Sequence, residues 1–183
     1  MRVIGGEFRS RKLKSLPGMD IRPTPDRLRE SLFNILAPRI EGAVFVDAYA
    51  GTGAVGIEAV SRGAARAVFL EKRREAARLI EENIASLGIE ERCQVVQGSV
   101  ALYLPRYPAD IVFVDPPYTK PGQHEAALAV LGDAAPALVI VQHDARQQLA
   151  KEYGKLTRTR IVRQGDNALS FYTTGQEGIT SSH

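Results

Sequence analysis

The chain has 183 residues, of which 44% are hydrophobic and 25% charged, enough for one domain with a sizeable core and too little for a second of comparable size. Its net charge of +3 is uneven: residues 1–40 hold nine Arg and Lys against four Asp and Glu, the remainder 15 against 17, so the basic end points to a polyanionic partner. One cysteine, Cys93, excludes intrachain disulfides and multi-cysteine metal sites, so no metal is expected, and without a signal-peptide core or a membrane-length apolar run the expected setting is the cytoplasm, with no membrane contact.

Arg2, Arg9, Arg11, Lys12, Lys14 and Arg22 surround Gly5, Gly6 and Phe8 in residues 2–22. This stretch has too few apolar residues to bury alone, and a short hairpin or extended arm is expected. Basic side chains interleaved with an aromatic ring suit a phosphate backbone and unstacked bases. Thr24-Pro25-Asp26 then opens a helix, with threonine as cap, proline in the first turn and aspartate at the positive end of the dipole. Leu28, Leu32, Ile35 and Leu36 recur at helical spacing as its buried stripe, while Arg27, Glu30 and Asn34 fall on another face. Pro38 is expected to end it.

Val44-Phe45-Val46 reads as a strand ending on Asp47. Ala48 and Tyr49 lead from it into Gly51-Thr52-Gly53-Ala-Val-Gly56, which opens a helix through about Arg62. A second strand, Ala67 to Leu70, ends on Glu71, with Lys72 next. Strand, acid, glycine loop, helix, strand and acid form the frame of a nucleoside-binding site, and the glycine pattern alone also satisfies the dinucleotide fingerprint. Residues 74–87 are expected to be a helix with Ala76, Ala77, Leu79, Ile80, Ile84 and Leu87 inward and Gly88 at its end. Cys93 to Gln97 is the third strand, followed by Gly98-Ser99-Val100.

The run Ala109 to Val114 stops on Asp115, and Pro116-Pro117-Tyr118 follow. Two prolines cannot continue a strand, so Asp115 stands at a carboxyl-terminal strand end, where open α/β sheets put their ligands. Its carboxylate and the Pro116 carbonyl can accept hydrogen bonds from an NH2 group while the Tyr118 ring stacks on a planar partner. Asp-Pro-Pro-Tyr resembles the catalytic motif of S-adenosylmethionine-dependent methyltransferases that modify exocyclic amino groups of nucleobases. Charge agrees with that resemblance, because Asp47 at the mouth of the glycine loop would oppose a pyrophosphate, whereas S-adenosyl-L-methionine brings a sulfonium and an amino group and no phosphate.

Arg22-Pro23-Thr24, then Arg27, Arg29, Glu30, Leu32, Phe33 and Asn34, match a signature that narrows the resemblance, over residues 1–173, to the bacterial small-subunit ribosomal RNA guanine-N2 methyltransferases. The resemblance implies a Rossmann-like class I methyltransferase fold, α/β, with a seven-stranded, mostly parallel sheet, helices on both faces and a basic N-terminal extension. It assigns catalysis to Asp115, Pro116, Pro117 and Tyr118. It assigns the cofactor S-adenosyl-L-methionine to Asp47, Ala48, Gly51, Thr52, Gly53, Glu71, Lys72, Gly98, Ser99, Val100 and Asp115, with Glu71 accepting from the ribose hydroxyls. Serine at 99 departs from the aspartate usual there, and a hydroxyl is a weaker acceptor for the adenine amino group. Arg9, Arg11, Lys12, Arg22 and Arg27 are the expected contacts to 16S ribosomal RNA, within an assembling small subunit and by a monomer. Residues 1–38 are thus read as an RNA-contacting arm and helix, 39–174 as the methyltransferase domain and 175–183 as a disordered polar tail.

Beyond the motif, Thr119 to Gly122 reads as a loop beside the site, Glu125 to Leu131 as helical, and Leu138 to Val141 as a buried strand with a structural His143 beyond it. Residues 155–163 and 168–173 alternate around Gly165-Asp166-Asn167 and read as a closing hairpin. Three other functions use many of the same residues: a DNA or RNA adenine-N6 methyltransferase, a protein glutamine methyltransferase, and a non-catalytic RNA-binding assembly factor.

Overall fold

The computed structural model describes residues 1–17, 24–117, 119–120 and 122–175. Arg22, Tyr118 and the polar tail from residue 176, for which a role or disorder is expected, lie outside the described residues. The helices are α1 (Asp26–Ile40), α2 (Ala54–Ser61), α3 (Arg74–Leu87), α4 (Val100–Tyr103) and α5 (Gln123–Ala134). The strands are β1 (Val44–Ala48), β2 (Arg66–Glu71), β3 (Cys93–Gln97), β4 (Ile111–Val114), β5 (Leu138–Asp144), β6 (Glu152–Tyr153), β7 (Leu156–Gln164) and β8 (Asn167–Thr173). They form one sheet in the order β3-β2-β1-β4-β5-β8-β7-β6. β1 to β5 are parallel to one another, and the β5–β8, β8–β7 and β7–β6 pairs are antiparallel.

Among the described residues the sheet has eight strands where seven are implied by the resemblance. The extra one, β6, is two residues long, too short to show an alternating pattern. It pairs with β7 through Glu152 opposite Thr157 and Tyr153 opposite Leu156.

Alternation along each strand divides the core. Phe45, Ile111, Phe113, Leu138 and Ile140 face α1 and α2, whereas Val46, Ala48, Val112, Val114, Val139 and Val141 face α4 and α5. A continuous apolar strand is what a parallel sheet covered on both faces needs. α1 buries Leu28, Leu32, Phe33 and Leu36, with Ile35 only partly covered. Pro38 does not end α1, which continues to Ile40. The proline forfeits one N–H to carbonyl bond of the last turn, a loss offset by the burial of Ile40 against the core. Thr24 does not cap α1 either: the cap position is Pro25 and makes no side-chain bond.

Residues 1–13 form a hairpin closed by an Arg2–Lys12 bridge and by Val3 N–H to Arg11 O and Leu13 N–H to Met1 O, both 2.9 Å. It docks, burying Val3 and Leu13 against α2 and α3. The Ile4 N–H donates to Glu58 Oε1 (2.8 Å) and the Phe8 N–H to Ser61 Oγ (3.0 Å). At the other end Lys14 N–H donates to Asn83 Oδ1 (2.8 Å). No helix of the described residues is long and apolar enough to cross a membrane.

Candidate active site

β1, β2 and β4 bring three carboxylates to one rim of the sheet. Asp47 is the fourth residue of β1, Glu71 the last of β2, and Asp115 the first after β4. Asp47 and Glu71 are buried. The Asp47 carboxyl is held well above its ordinary value, first by burial and then, against the Gly56 N–H that favours its charge, by the negative charges of Asp115 and Glu71. Asp115 keeps some exposure as a residue, yet burial of its carboxyl pushes the pKa up to about 7. Three acids gathered at one rim, with the ionisation of Asp47 opposed by the other two, form a site complementary to a cation.

The glycine loop is built around these acids. The Gly51 N–H donates to Glu71 Oε2 (2.8 Å), the Gly56 N–H to Asp47 Oδ2 (2.9 Å), and the Gly53 N–H to Ala50 O (2.8 Å). All three amides are therefore spent on acceptors inside the chain, where a phosphate-cradling loop would leave them free. A pyrophosphate would meet three acids and glycine amides already committed, and the dinucleotide reading of the glycine pattern is set aside. A phosphate-free, positively charged nucleoside fits the donor set, and S-adenosyl-L-methionine is such a group. Glu71 still has lone pairs for a ribose hydroxyl, although Oε1 also accepts from the Arg73 N–H (2.9 Å). Two glycines are required by geometry: Gly53 sits at φ +80°, and a Cβ on Gly56 would come within 2.4 Å of the Phe69 ring.

The structure brings most of the expected site together. Ala48, Gly51, Thr52 and Gly53 are buried around the β1 rim, and Val100 packs beneath it from α4. Lys72 and Ser99 are exposed at the ends of β2 and β3, with Gly98 between β3 and α4, where a Cβ would strike the Tyr103 ring at 2.2 Å. Pro116 is buried and Pro117 exposed.

The basic residues divide. Arg27 is exposed in the first turn of α1. Arg9, Arg11 and Lys12 are exposed on the hairpin, whose turn lies at the far end of α2 and α3: Glu7 N–H donates to Ser61 O, and Arg11 Nη2 to Ser86 O. α2 has eight residues, so Arg9 and Arg11 stand about 12 Å below the rim.

Sequence reading missed four residues of this rim. Tyr49, half-buried directly after β1, is held at φ +62°, a backbone region rare for residues with a Cβ and common at functional sites. Thr24, Gln142 and His124 form a buried polar row: Thr24 Oγ1 donates to Gln142 Oε1 (3.0 Å), and His124 Nε2 to Gln142 O (3.1 Å). Their only signal in sequence is a polar residue directly after the apolar run of β5. His143 is buried and structural, bonding Ser170 Oγ at 2.8 Å.

The family described as Conserved hypothetical protein 95 matches residues 1–173. Ribosomal RNA small subunit methyltransferase D of Escherichia coli strain K12 is 39% identical over 155 residues, covering 81% of this chain and 77% of that one. The solved structure of Escherichia coli YhhF superposes with a TM-score of 0.83 at 36% identity, over 94% of this chain and 97% of that one. A solved RNA methyltransferase from Salinibacter ruber, in complex with S-adenosyl-L-homocysteine, shares the fold at 17% identity, with a TM-score of 0.68 over 87% of this chain and 97% of that one. The chain is a member of the Conserved hypothetical protein 95 family, the family of the small subunit methyltransferase D proteins.

Proposed function

We propose that the protein transfers a methyl group from S-adenosyl-L-methionine to the exocyclic N2 of a guanine in 16S ribosomal RNA. The observation that carries this reading is the convergence of Asp47, Glu71 and Asp115 on a glycine loop whose three glycine amides are already committed within the chain. Such a site takes a cationic nucleoside beside an acceptor for an amine. The ribosomal substrate draws its support from the name of the Escherichia coli relative. The same reading makes residues 1–38 the RNA-contacting part of a cytoplasmic monomer that acts on an assembling small subunit.

When bound, S-adenosyl-L-methionine supplies an electrophilic methyl group. The chain's own residues do the rest. An exocyclic amine shares its lone pair with the ring and is a poor nucleophile. The Asp115 carboxylate and the Pro116 carbonyl each accept one of its N–H bonds, which fixes its direction and favours the pyramidal geometry that frees the pair. Positioning of this kind is worth about 7–11 kcal/mol in favourable cases. Positive charge then builds on the nitrogen beside Asp115, which stabilises it and draws off the proton. The base must leave its stack to reach the rim, with Tyr118 as the surface proposed to receive it.

Labelled methyl transfer into small subunits lacking the modification, followed by mapping of the modified base, tests this directly. Label on guanine N2 is expected. Label on adenine, or transfer only to duplex DNA offered in parallel, would replace the reading with the adenine-N6 alternative. Neutralising Arg9, Arg11 and Lys12 together is expected to weaken RNA binding and reduce the slope of log affinity against log salt by about two. Cofactor affinity in the same variant should be unchanged, as measured by titration calorimetry.

A further inference from the structure

The threonine of the Arg22-Pro23-Thr24 signature has no part in the chemistry above, and it does not cap α1. It is nevertheless buried, and its hydroxyl is committed to the side chain of Gln142, itself only 3% exposed. Burying a hydroxyl and an amide at the end of a strand is costly unless they are placed for a purpose or fully paired.

Their position suggests the purpose. Val114 of β4 and Val141 of β5 are register partners, so the next residues, Asp115 and Gln142, stand side by side. Phe113 and Ile140, two positions earlier, both face α1, and the two-residue period of a strand puts Asp115 and Gln142 on that same face. Gln142 is pinned on several sides: Oε1 accepts from Thr24, its carbonyl accepts from His124 Nε2, and its backbone pairs with Leu169 of β8. His124 is in turn fixed by Gln147 Nε2, 3.4 Å from its Nδ1. With Oε1 occupied, the amide offers only its two N–H donors, and among the described residues Nε2 has no acceptor.

We propose that Gln142, positioned by Thr24, reads the target base by donating from Nε2 to a ring carbonyl. The proposal rests on Asp115 as the acceptor of the amine. On guanine, N2 and O6 lie at the two ends of one edge, a span comparable with the about 4.8 Å between neighbouring strands. An amine held at Asp115 therefore puts O6 at Gln142. Adenine held by its own amine puts a C–H at the corresponding place and leaves a buried donor unpaired, a penalty of about tenfold to a hundredfold in kcat/KM. Cytosine also carries a carbonyl at that distance from its amine, so Gln142 separates amino-oxo bases from adenine, and purine is separated from pyrimidine by size.

The test uses the full-length protein and small-subunit RNA in which the labelled guanine is replaced by 2-aminopurine, which keeps N2 and lacks O6 and the N1 proton, so that the comparison with Q142M isolates the part due to O6. The native protein is expected to lose about tenfold to a hundredfold in kcat/KM on this substrate. Q142M is expected to show the same loss with guanine and little further loss with 2-aminopurine. T24V, which leaves the amide free to turn, should fall between, and T24S should restore discrimination. Cofactor affinity should be unchanged in all three. Equal use of guanine and 2-aminopurine by the native protein overturns the assignment to Gln142 while leaving Asp115 in place, and needs no variant to fold. The same conclusion follows if Q142M keeps the native preference. Absence of transfer to guanine by the native protein would instead overturn the functional reading, and this inference with it.

Discussion

Asp115→Ala is expected to lower methyl transfer by roughly a thousandfold or more while changing the affinity for S-adenosyl-L-methionine only a few-fold. The asymmetry follows from where the charges are. Asp47 and Glu71 remain to receive a cationic nucleoside, but the amine loses the acceptor that orients it and the charge that offsets its own. Losing a single preorganised group of this kind costs about a hundred- to a thousandfold, and the orientation lost with it adds to that. Single-turnover transfer and calorimetric cofactor binding, measured on the same preparation, separate the two effects. Near-normal turnover would reject Asp115 as the acceptor.

The pKa of Asp115 gives the same residue a pH signature. Burial raises it from 3.8 to about 7, so at neutral pH the acid is about half ionised. Only the ionised form accepts from both the amine and the developing charge, so kcat/KM, which reports the free enzyme, should rise with pH through about 7. Stability has the opposite sign. An acid whose folded pKa is raised contributes stability that is complete below its unfolded value and lost as pH rises through the folded one. D115N should therefore unfold at a higher temperature than the native chain above about pH 7, with the gain vanishing toward pH 4. Saturating S-adenosyl-L-methionine should shrink the difference, because a cation beside the three acids favours their charged forms.

How much of this was readable in the chain depends on how local each signal is. β1, β2, β4 and β5 show in sequence as short continuous apolar runs, as strands covered on both faces must, and the acids of the rim show because glycine or proline marks the strand ends they occupy. Asp47, Glu71 and Asp115 meet as expected. β6 was invisible because two residues carry no period. Thr24 looked like a cap because Thr-Pro-Asp is a common helix start, but its partner is Gln142, 118 residues away. The docking of the basic hairpin was equally hidden, since it depends on Glu58, 54 residues from Ile4, and a glutamate within α2 reads as a solvated residue. Long-range polar pairs leave no periodic trace in sequence.

Glu58 and its partner Arg29 give the largest expected effect on stability. Arg29, the third arginine of the signature, is 1% exposed. Its Nε lies 3.7 Å from Glu58 Oε1, an ion pair too long for a hydrogen bond, while Nη2 donates to Arg2 O (2.6 Å) and Asp26 Oδ1 (3.2 Å). Burial pushes the Arg29 pKa down and the Glu58 pKa up, and the attraction between them works against both shifts. Arg29→Met leaves Glu58 buried with one of its two cations, Arg62, 3.8 Å away. Breaking one side of such a pair costs about 3–5 kcal/mol, to be seen as a lower denaturant midpoint. Adding Glu58→Leu removes the stranded charge, which in a closed core often restores stability. Here the recovery should be partial, because Glu58 also accepts from the Ile4 and Gly5 N–H groups and leucine cannot. The double variant should therefore fold with its hairpin released, showing fast hydrogen exchange over residues 1–13 and protected exchange in the sheet. It should bind RNA more weakly with cofactor affinity retained, because the arm carrying Arg9, Arg11 and Lys12 has lost its seat. Full recovery with a protected hairpin would mean that Val3 and Leu13, rather than the carboxylate, hold the arm in place.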